Sequence, residues 1–302
     1  MNLSIIKNLS KKTLREFIVL GAIALSCILY ISFRERGDIN YTLPAIPKLS
    51  IDDFTALEVH TPNGEIVKME KGGGQWTLSG GYPADATLTE RILETLSAPK
   101  PIDLVSQAGS YARYELDEEG RYSIKGLKDG NLLRELHLGK VSDSNKYNYV
   151  IFPGYKGVYT IRGTLSSTLA QEPESFRSKK VMEINTSTIT EISYSTDELT
   201  TTLNKDEESN WQDQNGEAWD SAKINELVGR FTAINASGFP ESAPSRSQEL
   251  ARISLKGETS PTITLYEKTD QGYPADFSTY PFPVIISDYL GDSIIKAFEE
   301  AE

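Results

Sequence analysis

His60 and His137 are the only two imidazoles the chain has for proton transfer or metal binding. His60 follows Val59 on the polar phase of an alternating run, and His137 lies between Leu136 and Leu138. Neither has a second histidine at metal-ligand spacing, and neither adjoins a candidate nucleophile, so neither reads as a zinc ligand or a catalytic base. There is no G-x-S-x-G elbow, no Walker A loop and no H-E-x-x-H pattern. Gly72-Gly73-Gly74 is glycine-rich, but no helix begins beside it to receive a phosphate, so it reads as a hairpin turn. Asp206-Glu207-Glu208 and Asp213-Gln214-Asn215-Gly216-Glu217 flank Trp211. They have the composition of a calcium loop without its regular oxygen spacing or terminal glutamate, and they read as turns. Paired carboxylates serve glycosidases; acids are so frequent here that no pair stands out, and a hydrolase built on scattered carboxylates is only an alternative. The expectation is a protein that is not an enzyme, with no catalytic, no cofactor-binding and no metal-ligating residues.

Tyr147, Tyr149, Tyr155 and Tyr159 form a local tyrosine-rich stretch at strand spacing. Such residues usually pack in a core or at its rim, and a protein- or glycan-binding surface is the functional alternative. Cys27 is the single cysteine and lies in an apolar segment. The rest of the chain therefore has no disulfide, no thiol nucleophile and no cysteine zinc site.

Net charge is −12 over 302 residues, unevenly spread. Residues 34–180 carry 19 basic and 20 acidic groups, whereas residues 181–302 carry 8 and 22. An acidic domain repels phosphate backbones, so nucleic acid is not an expected partner. The acidic half reads as a solvated face, with docking of a basic partner or weak calcium binding as the alternatives.

Phe17 to Phe33 reads FIVLGAIALSCILYISF, 17 residues without a charge. That is the short end of the roughly 17–25 residues a spanning helix needs, and the segment lacks the polar stripe of a surface helix. Lys11, Lys12 and Arg15 precede it; Arg34 and Arg36 follow, partly offset by Glu35 and Asp38. This bias places the N-terminus inside. The organisation expected is a cytoplasmic N-terminus (1–16), a transmembrane helix (17–33), a linker (34–50) stiffened by Pro44 and Pro47, and a domain outside the cytoplasm. A cleaved signal peptide is one alternative, but no small-x-small site follows closely. Lipidation is another: Ala24-Leu25-Ser26-Cys27 loosely resembles a lipobox, yet the chain stays apolar from Ile28 to Phe33.

The domain contains an internal repeat. Residues 54–105 resemble residues 189–240 at a constant shift of 135. Leu57 and Val59 match Ile192 and Tyr194; Trp76 matches Trp211; Asp85 matches Asp220; Ile92, Leu93 and Leu96 match Leu227, Val228 and Phe231. Beyond this, Tyr122-Ser123-Ile124-Lys125-Gly126 aligns with Ile253-Ser254-Leu255-Lys256-Gly257 at a slightly smaller shift. In each unit alternating residues predict a strand meander. An amphipathic helix follows, with Thr87-Leu88-Thr89-Glu90 read as a capping box in the first unit and Asp220 or Ser221 as the cap in the second. Further strands are expected at 121–127, 131–138, 146–152 and 157–161, then at 251–256, 262–267 and 283–287, with a final helix over 288–301. The fold class expected is α+β: an N-terminal transmembrane helix, then two tandem, similar antiparallel sheet-plus-helix lobes over 51–180 and 181–302. Equivalent placement of Trp76 and Trp211 points to core packing.

Gly74-Gln75-Trp76-Thr77-Leu78 followed by Tyr82-Pro83-Ala84-Asp85 resembles the bacterial DUF4340 family, a domain of unknown function. Tyr114-Glu115-Leu116-Asp117 resembles its Tyr-Gly-Leu-Asp signature, with Glu115 where glycine is usual. Leu136-His137-Leu138-Gly139, Tyr149-Val150 and Val158-Tyr159 resemble its next strands. The resemblance implies a single-span protein of the bacterial inner membrane with a periplasmic or other extracytoplasmic domain. It also implies a non-catalytic accessory subunit of an ABC-type transport or envelope complex of the gliding-motility-auxiliary type, whose partners would be a permease, an ATPase and a sister accessory protein. A free-standing envelope module that binds glycan or protein is the alternative. The repeat itself makes a prediction: a charge placed at Leu93 or at Val228 should lower the denaturation midpoint of its own lobe, and an unchanged midpoint would contradict the stripes.

Overall fold

The computed structural model describes residues 11–33, 41–171, 173–240, 242–245 and 249–299, with side chains at all of these except 11–14, 31–33, 173 and 297–299. The parts of the expected N-terminus, linker and final helix at 1–10, 34–40 and 300–302 lie outside them.

Helix α1 spans Lys11–Phe33, and its described side chains are exposed throughout. Among the described residues no helix is long and apolar enough to cross a membrane.

The first lobe comprises β1 (Ala56–His60), β2 (Ile66–Gly72), β3 (Gln75–Leu78), α2 (Ala86–Ser97), β4 (Asp103–Ser106), β5 (Tyr122–Lys128), β6 (Asn131–Val141), β7 (Tyr147–Ile151), β8 (Val158–Arg162) and α3 (Leu165–Leu169). Its eight strands form one sheet in the order β3-β2-β1-β5-β6-β7-β8-β4, every pair antiparallel. A connecting strand β9 (Lys180–Glu183) leads to the second lobe. That lobe comprises β10 (Glu191–Ser195), β11 (Thr200–Lys205), β12 (Trp211–Gln212), α4 (Ser221–Arg230), β13 (Ala233–Asn235), β14 (Glu249–Lys256), β15 (Thr262–Tyr266), β16 (Tyr273–Phe277), β17 (Tyr280–Ile286) and α5 (Asp288–Glu299). Its sheet runs β12-β11-β10-β14-β15-β16-β17, again antiparallel, while β13 pairs with β9. The chain is thus α+β with two sheet-rich lobes of one topology.

The repeat extends past the point where sequence similarity fades. Strand β1 maps onto β10 at the 135-residue shift without offset. In the next strands the register departs from the sequence alignment: Leu57 pairs with Gly126, whereas its counterpart Ile192 pairs with Leu255. Gly126 therefore corresponds to Leu255, not Gly257. The sequence match slipped by two residues, which leaves every side chain on the same face and so goes unnoticed in a hydrophobic pattern. The last strand of each lobe also gains an edge partner from the segment after the helix. In the first lobe this is β4 on β8; in the second, Gly238 bridges Ile285 of β17.

Strand β16 was not anticipated, because Pro274 and the prolines of β17 argue against a ladder. Its pairing with β15 begins at Ala275, so Pro274 is not required to donate in that direction.

Each helix lays its apolar stripe on one sheet face. In the first lobe Leu88, Ile92, Leu93 and Leu96 pack with Leu57, Val59, Ile124 and Leu136; in the second Ile224, Leu227, Val228 and Phe231 pack with Ile192, Tyr194 and Ile253. Trp211 is fully buried and its indole N–H donates to Asn225 Oδ1 at 2.9 Å, while Trp76 packs at the rim of the first core. The residues read as a linker are held on the first lobe from Tyr41 onward. Leu43, Ile46 and Leu49 pack against its core, and Leu49 N–H donates to Ser97 O at 2.8 Å.

The lobes meet at the 176–178 segment. Asp85 N–H donates to Phe176 O and Ser178 N–H to Pro83 O, while Tyr280 of the second lobe donates its hydroxyl to Ser178 O. Between them the Arg177 guanidinium lies over the Tyr82 ring (4.0 Å) and the Phe239 ring (3.6 Å), and Tyr82 stacks on Phe282.

The capping box assigned to Thr87 is corrected. Helix α2 starts at Ala86, and the Asp85 carboxylate accepts the Leu88 N–H at 2.7 Å. Asp220 caps α4 in the same way, accepting from Ala222 and Lys223 N–H groups. Ser221 instead accepts the Trp211 N–H. Asp85→Ala should accordingly cost about 1 kcal/mol of stability. Thr87→Ala should stay within about 0.5 kcal/mol. Urea unfolding of the two variants separates these assignments.

Candidate functional site

The face of the first sheet turned away from α2 carries a group of interacting polar side chains. Strands β1, β5 and β6 are neighbours, and their register places His60, Ser123 and His137 in one row, with Glu58, Lys125 and Glu135 in the next. Lys68 on β2 pairs with Glu58. The two histidines, 77 residues apart in sequence, therefore share one sheet face, separated by two strand spacings of about 4.8 Å each.

Glu58 is held from two sides, by His60 Nε2 at 3.3 Å and Lys68 Nζ at 3.2 Å. Glu135 Oε1 accepts the Ser123 hydroxyl at 2.7 Å and stands 3.0 Å from His137 Nε2. Burial pushes both carboxyls up. Opposing it, hydrogen bonds from His60 and Lys68 at Glu58, and from Ser123 and His137 at Glu135, win and hold both below the ordinary glutamate range. His137 moves the other way: burial pushes its imidazole down from 6.5, and Arg121 and Lys125 add to this against the pull of Glu135. Its Nδ1 is buried without a hydrogen-bond partner among the described residues.

This arrangement binds protons but does not assemble a nucleophile. The Ser123 hydroxyl is committed to Glu135, so it is not aimed at an imidazole base. Among the described residues no group of three or more His, Cys, Asp or Glu side chains could hold a metal ion. A cavity of about 530 Å³ beside the end of α2 has Glu94 as its only acid, facing Lys100 and Arg162.

The second lobe provides an internal comparison. By register, Ser193 and Ser195 take the places of Glu58 and His60; Arg252 and Ser254 those of Ser123 and Lys125; Thr262 and Thr264 those of Glu135 and His137. There the face is a hydroxyl ladder, with Ser193 Oγ 3.2 Å from Thr202 Oγ1 and Ser254 Oγ 3.3 Å from Thr262 Oγ1. At these positions the second lobe has Arg252 as its one ionisable group, paired with Glu249, and neither an acid nor a histidine, so the Glu–His pairs are particular to the first lobe.

The other candidates that the sequence raises separate in space. The Gly72–Gly74 stretch is the β2–β3 turn. Asp206 and Asp213 turn their carboxylates onto backbone N–H groups of their own turns, at 2.8–2.9 Å. Of the four tyrosines, Tyr159 is buried in the helix-side core against Phe152, Tyr149 packs on Tyr114 on the opposite face with half-buried Tyr147 beside it on β7, and Tyr155 is exposed at a hairpin tip.

A family described as a domain of unknown function, DUF4340, matches residues 76–256, well over half of the chain. The chain belongs to the DUF4340 family. No curated protein and no solved structure matches it. The DUF4340 match runs from β3 of the first lobe to β14 of the second, so the Ser123–Glu135–His137 cluster lies inside it and Glu58 and His60 lie outside. At Glu115, where the resemblance places a glycine, the backbone adopts left-handed φ 54°, ψ 44°, a conformation glycine reaches without steric cost. Facing it, a Cβ at Gly139 would stand 2.1 Å from Tyr114 O.

The clustering of the histidines was hidden from sequence reading because it depends on β1 pairing with β5, past an intervening hairpin and helix. The outward phase of His60 was the usable signal. The depressed His137 imidazole fixes the sign of a pH effect. The unfolded chain takes up a proton near pH 6.5 that the folded lobe resists, so stability is full above that pH and falls as pH is lowered through it. Urea midpoints should decline between about pH 7 and 5, and His137→Gln should flatten that decline. An identical pH profile in the variant would exclude His137 as the source.

Proposed function

We propose that this DUF4340 chain is a non-catalytic, membrane-anchored accessory subunit whose two-lobe domain works outside the cytoplasm as part of an ABC-type transport or envelope complex. The observation that carries the anchoring is α1. It is helical over Lys11–Phe33. Its sequence is uncharged from Phe17 to Phe33, and apolar side chains such as Ile18, Leu20 and Ile28 stand exposed. An apolar surface of that extent calls for a covering medium, and lipid suits a helix apolar on all sides. The basic residues ahead of it favour a cytoplasmic N-terminus. The location in a bacterial inner membrane and the partners (a polytopic permease, an ATPase and a sister accessory protein) are implications of the family resemblance.

Support for a non-catalytic role comes from the polar face of the first sheet, where Glu58 and Glu135 are held by hydrogen bonds from neighbouring lysine, histidine and serine and the Ser123 hydroxyl is not aimed at an imidazole. The free-standing glycan-binding reading draws no support from the tyrosines, which do not share one surface. Mild-detergent purification of the full-length protein from its native membrane is the test, preceded by alkaline carbonate extraction. Recovery in the carbonate-resistant fraction together with a permease and an ATPase is expected. Release by carbonate would overturn the anchor; a resistant protein that purifies alone would overturn the accessory role.

A further inference from the structure

The end of the first lobe that receives the chain from α1 differs from the rest of the surface. The strand β1 starts there, since Ala56 pairs with Leu127 at the β5–β6 hairpin. The β7–β8 hairpin turns at the same end, because β7 runs antiparallel to β6. Here Ile51 (39% exposed), Leu132 (54%) and Tyr155 (41%) project outward. Leu132, Leu133, Phe152 and Tyr155 line one shallow cavity of about 280 Å³ together with Ile46 and Pro47 of the docked segment. Of the large apolar side chains standing exposed outside α1, all described ones but Tyr289 belong to the first lobe.

Charge follows the same division. Asp52 and Asp53 at this end are ion-paired with Lys71 and Lys128, exposed Lys48 and Lys156 flank the apolar side chains, and exposed Glu70 and Asp129 bring the end close to neutral. The second lobe carries the strongly acidic half of the chain.

Chain length sets the distance. Tyr41 is fixed to the first lobe by its hydroxyl, which donates to Asp103 and accepts from Leu104 N–H. Eight residue steps separate it from Phe33, a span of at most about 29 Å when fully extended. The lobe is thereby confined next to the end of α1, and a weak surface contact gains from that high local concentration.

We infer that this end of the first lobe, through Ile51, Leu132 and Tyr155, rests in the headgroup region of the bilayer that holds α1, with the acidic second lobe directed away. An aromatic side chain with a polar tip, two aliphatic side chains and flanking lysines are the groups that partition into that region. The inference rests on the anchor reading above, and the experiment keeps the two apart.

The full-length protein carrying Cys27→Ser receives a single thiol by Leu132→Cys or, at the opposite end of the same lobe, by Ile66→Cys, where Ile66 pairs with His60. Each is labelled with an environment-sensitive fluorophore and reconstituted into phosphatidylethanolamine–phosphatidylglycerol vesicles, with flotation and carbonate resistance measured alongside. A blue shift at position 132, with loss of emission when headgroup-nitroxide lipid is added, and neither change at position 66, is the expected result. Unquenched label at 132 in a carbonate-resistant protein would overturn the surface contact and leave the anchor standing. Equal quenching at both positions would overturn the end-on arrangement. Failure to float with the vesicles would overturn both readings.

Discussion

An antiparallel sheet with its helices packed on one side buries only that face fully. Each lobe meets this constraint in the same way, with Leu57 and Val59, or Ile192 and Tyr194, turned to the helix and the alternate residues turned outward. Most of the rest follows from how the outward face is made compatible with water. The first lobe covers part of it with the turn carrying Tyr114 and Leu116, which packs on Val158, and fills the remainder with paired charges. The second lobe uses serine and threonine hydroxyls bonded to one another, together with the Arg252–Glu249 and Tyr266–Asp276 pairs. Both solutions pair most polar groups of a half-buried face, and only the first places histidines there.

Much of this was legible in the residues. Alternation at Leu57-Glu58-Val59-His60 identified the buried phase of β1, and the constant shift of 135 carried that assignment to β10. Helix stripes were legible because their period differs so plainly from that of a strand. The start of α2 was misplaced by two residues, because Thr87 and Glu90 have the spacing of a reciprocal cap. Asp85 sits where only the backbone path reveals that its carboxylate faces Leu88 N–H. The repeat alignment slipped at β5 for a related reason: a two-residue shift preserves alternation, and only the ladder hydrogen bonds distinguish it. The proline-bearing β16 was invisible because its exemption depends on where its neighbour ends. The pairing of His60 with His137 across one face was out of reach, since it needs the strand order.

The joint between the lobes is made of different material from their cores. Arg177 is sandwiched between rings of the two lobes; backbone hydrogen bonds tie the 176–178 segment to the first lobe, and the Tyr280 hydroxyl ties it to the second. A guanidinium between aromatic faces fixes orientation through its planarity while remaining more weakly hydrated than an ammonium. With β9 pairing to β13, this gives the junction both a directional and a hydrogen-bonded element.

Each lobe is contiguous in sequence, and this governs the order in which structure can form. The first sheet is complete once Arg162 has emerged, and it borrows no strand from the second. Domains generally fold as units from the N-terminal side during synthesis. The first lobe can therefore reach its native pairings, including the distant match of β1 to β5, while the second is still being made. The 176–178 segment then presents a finished surface for the later lobe to dock on, so that assembly of the whole becomes a template-directed addition rather than a search among two similar halves for the correct partner strands.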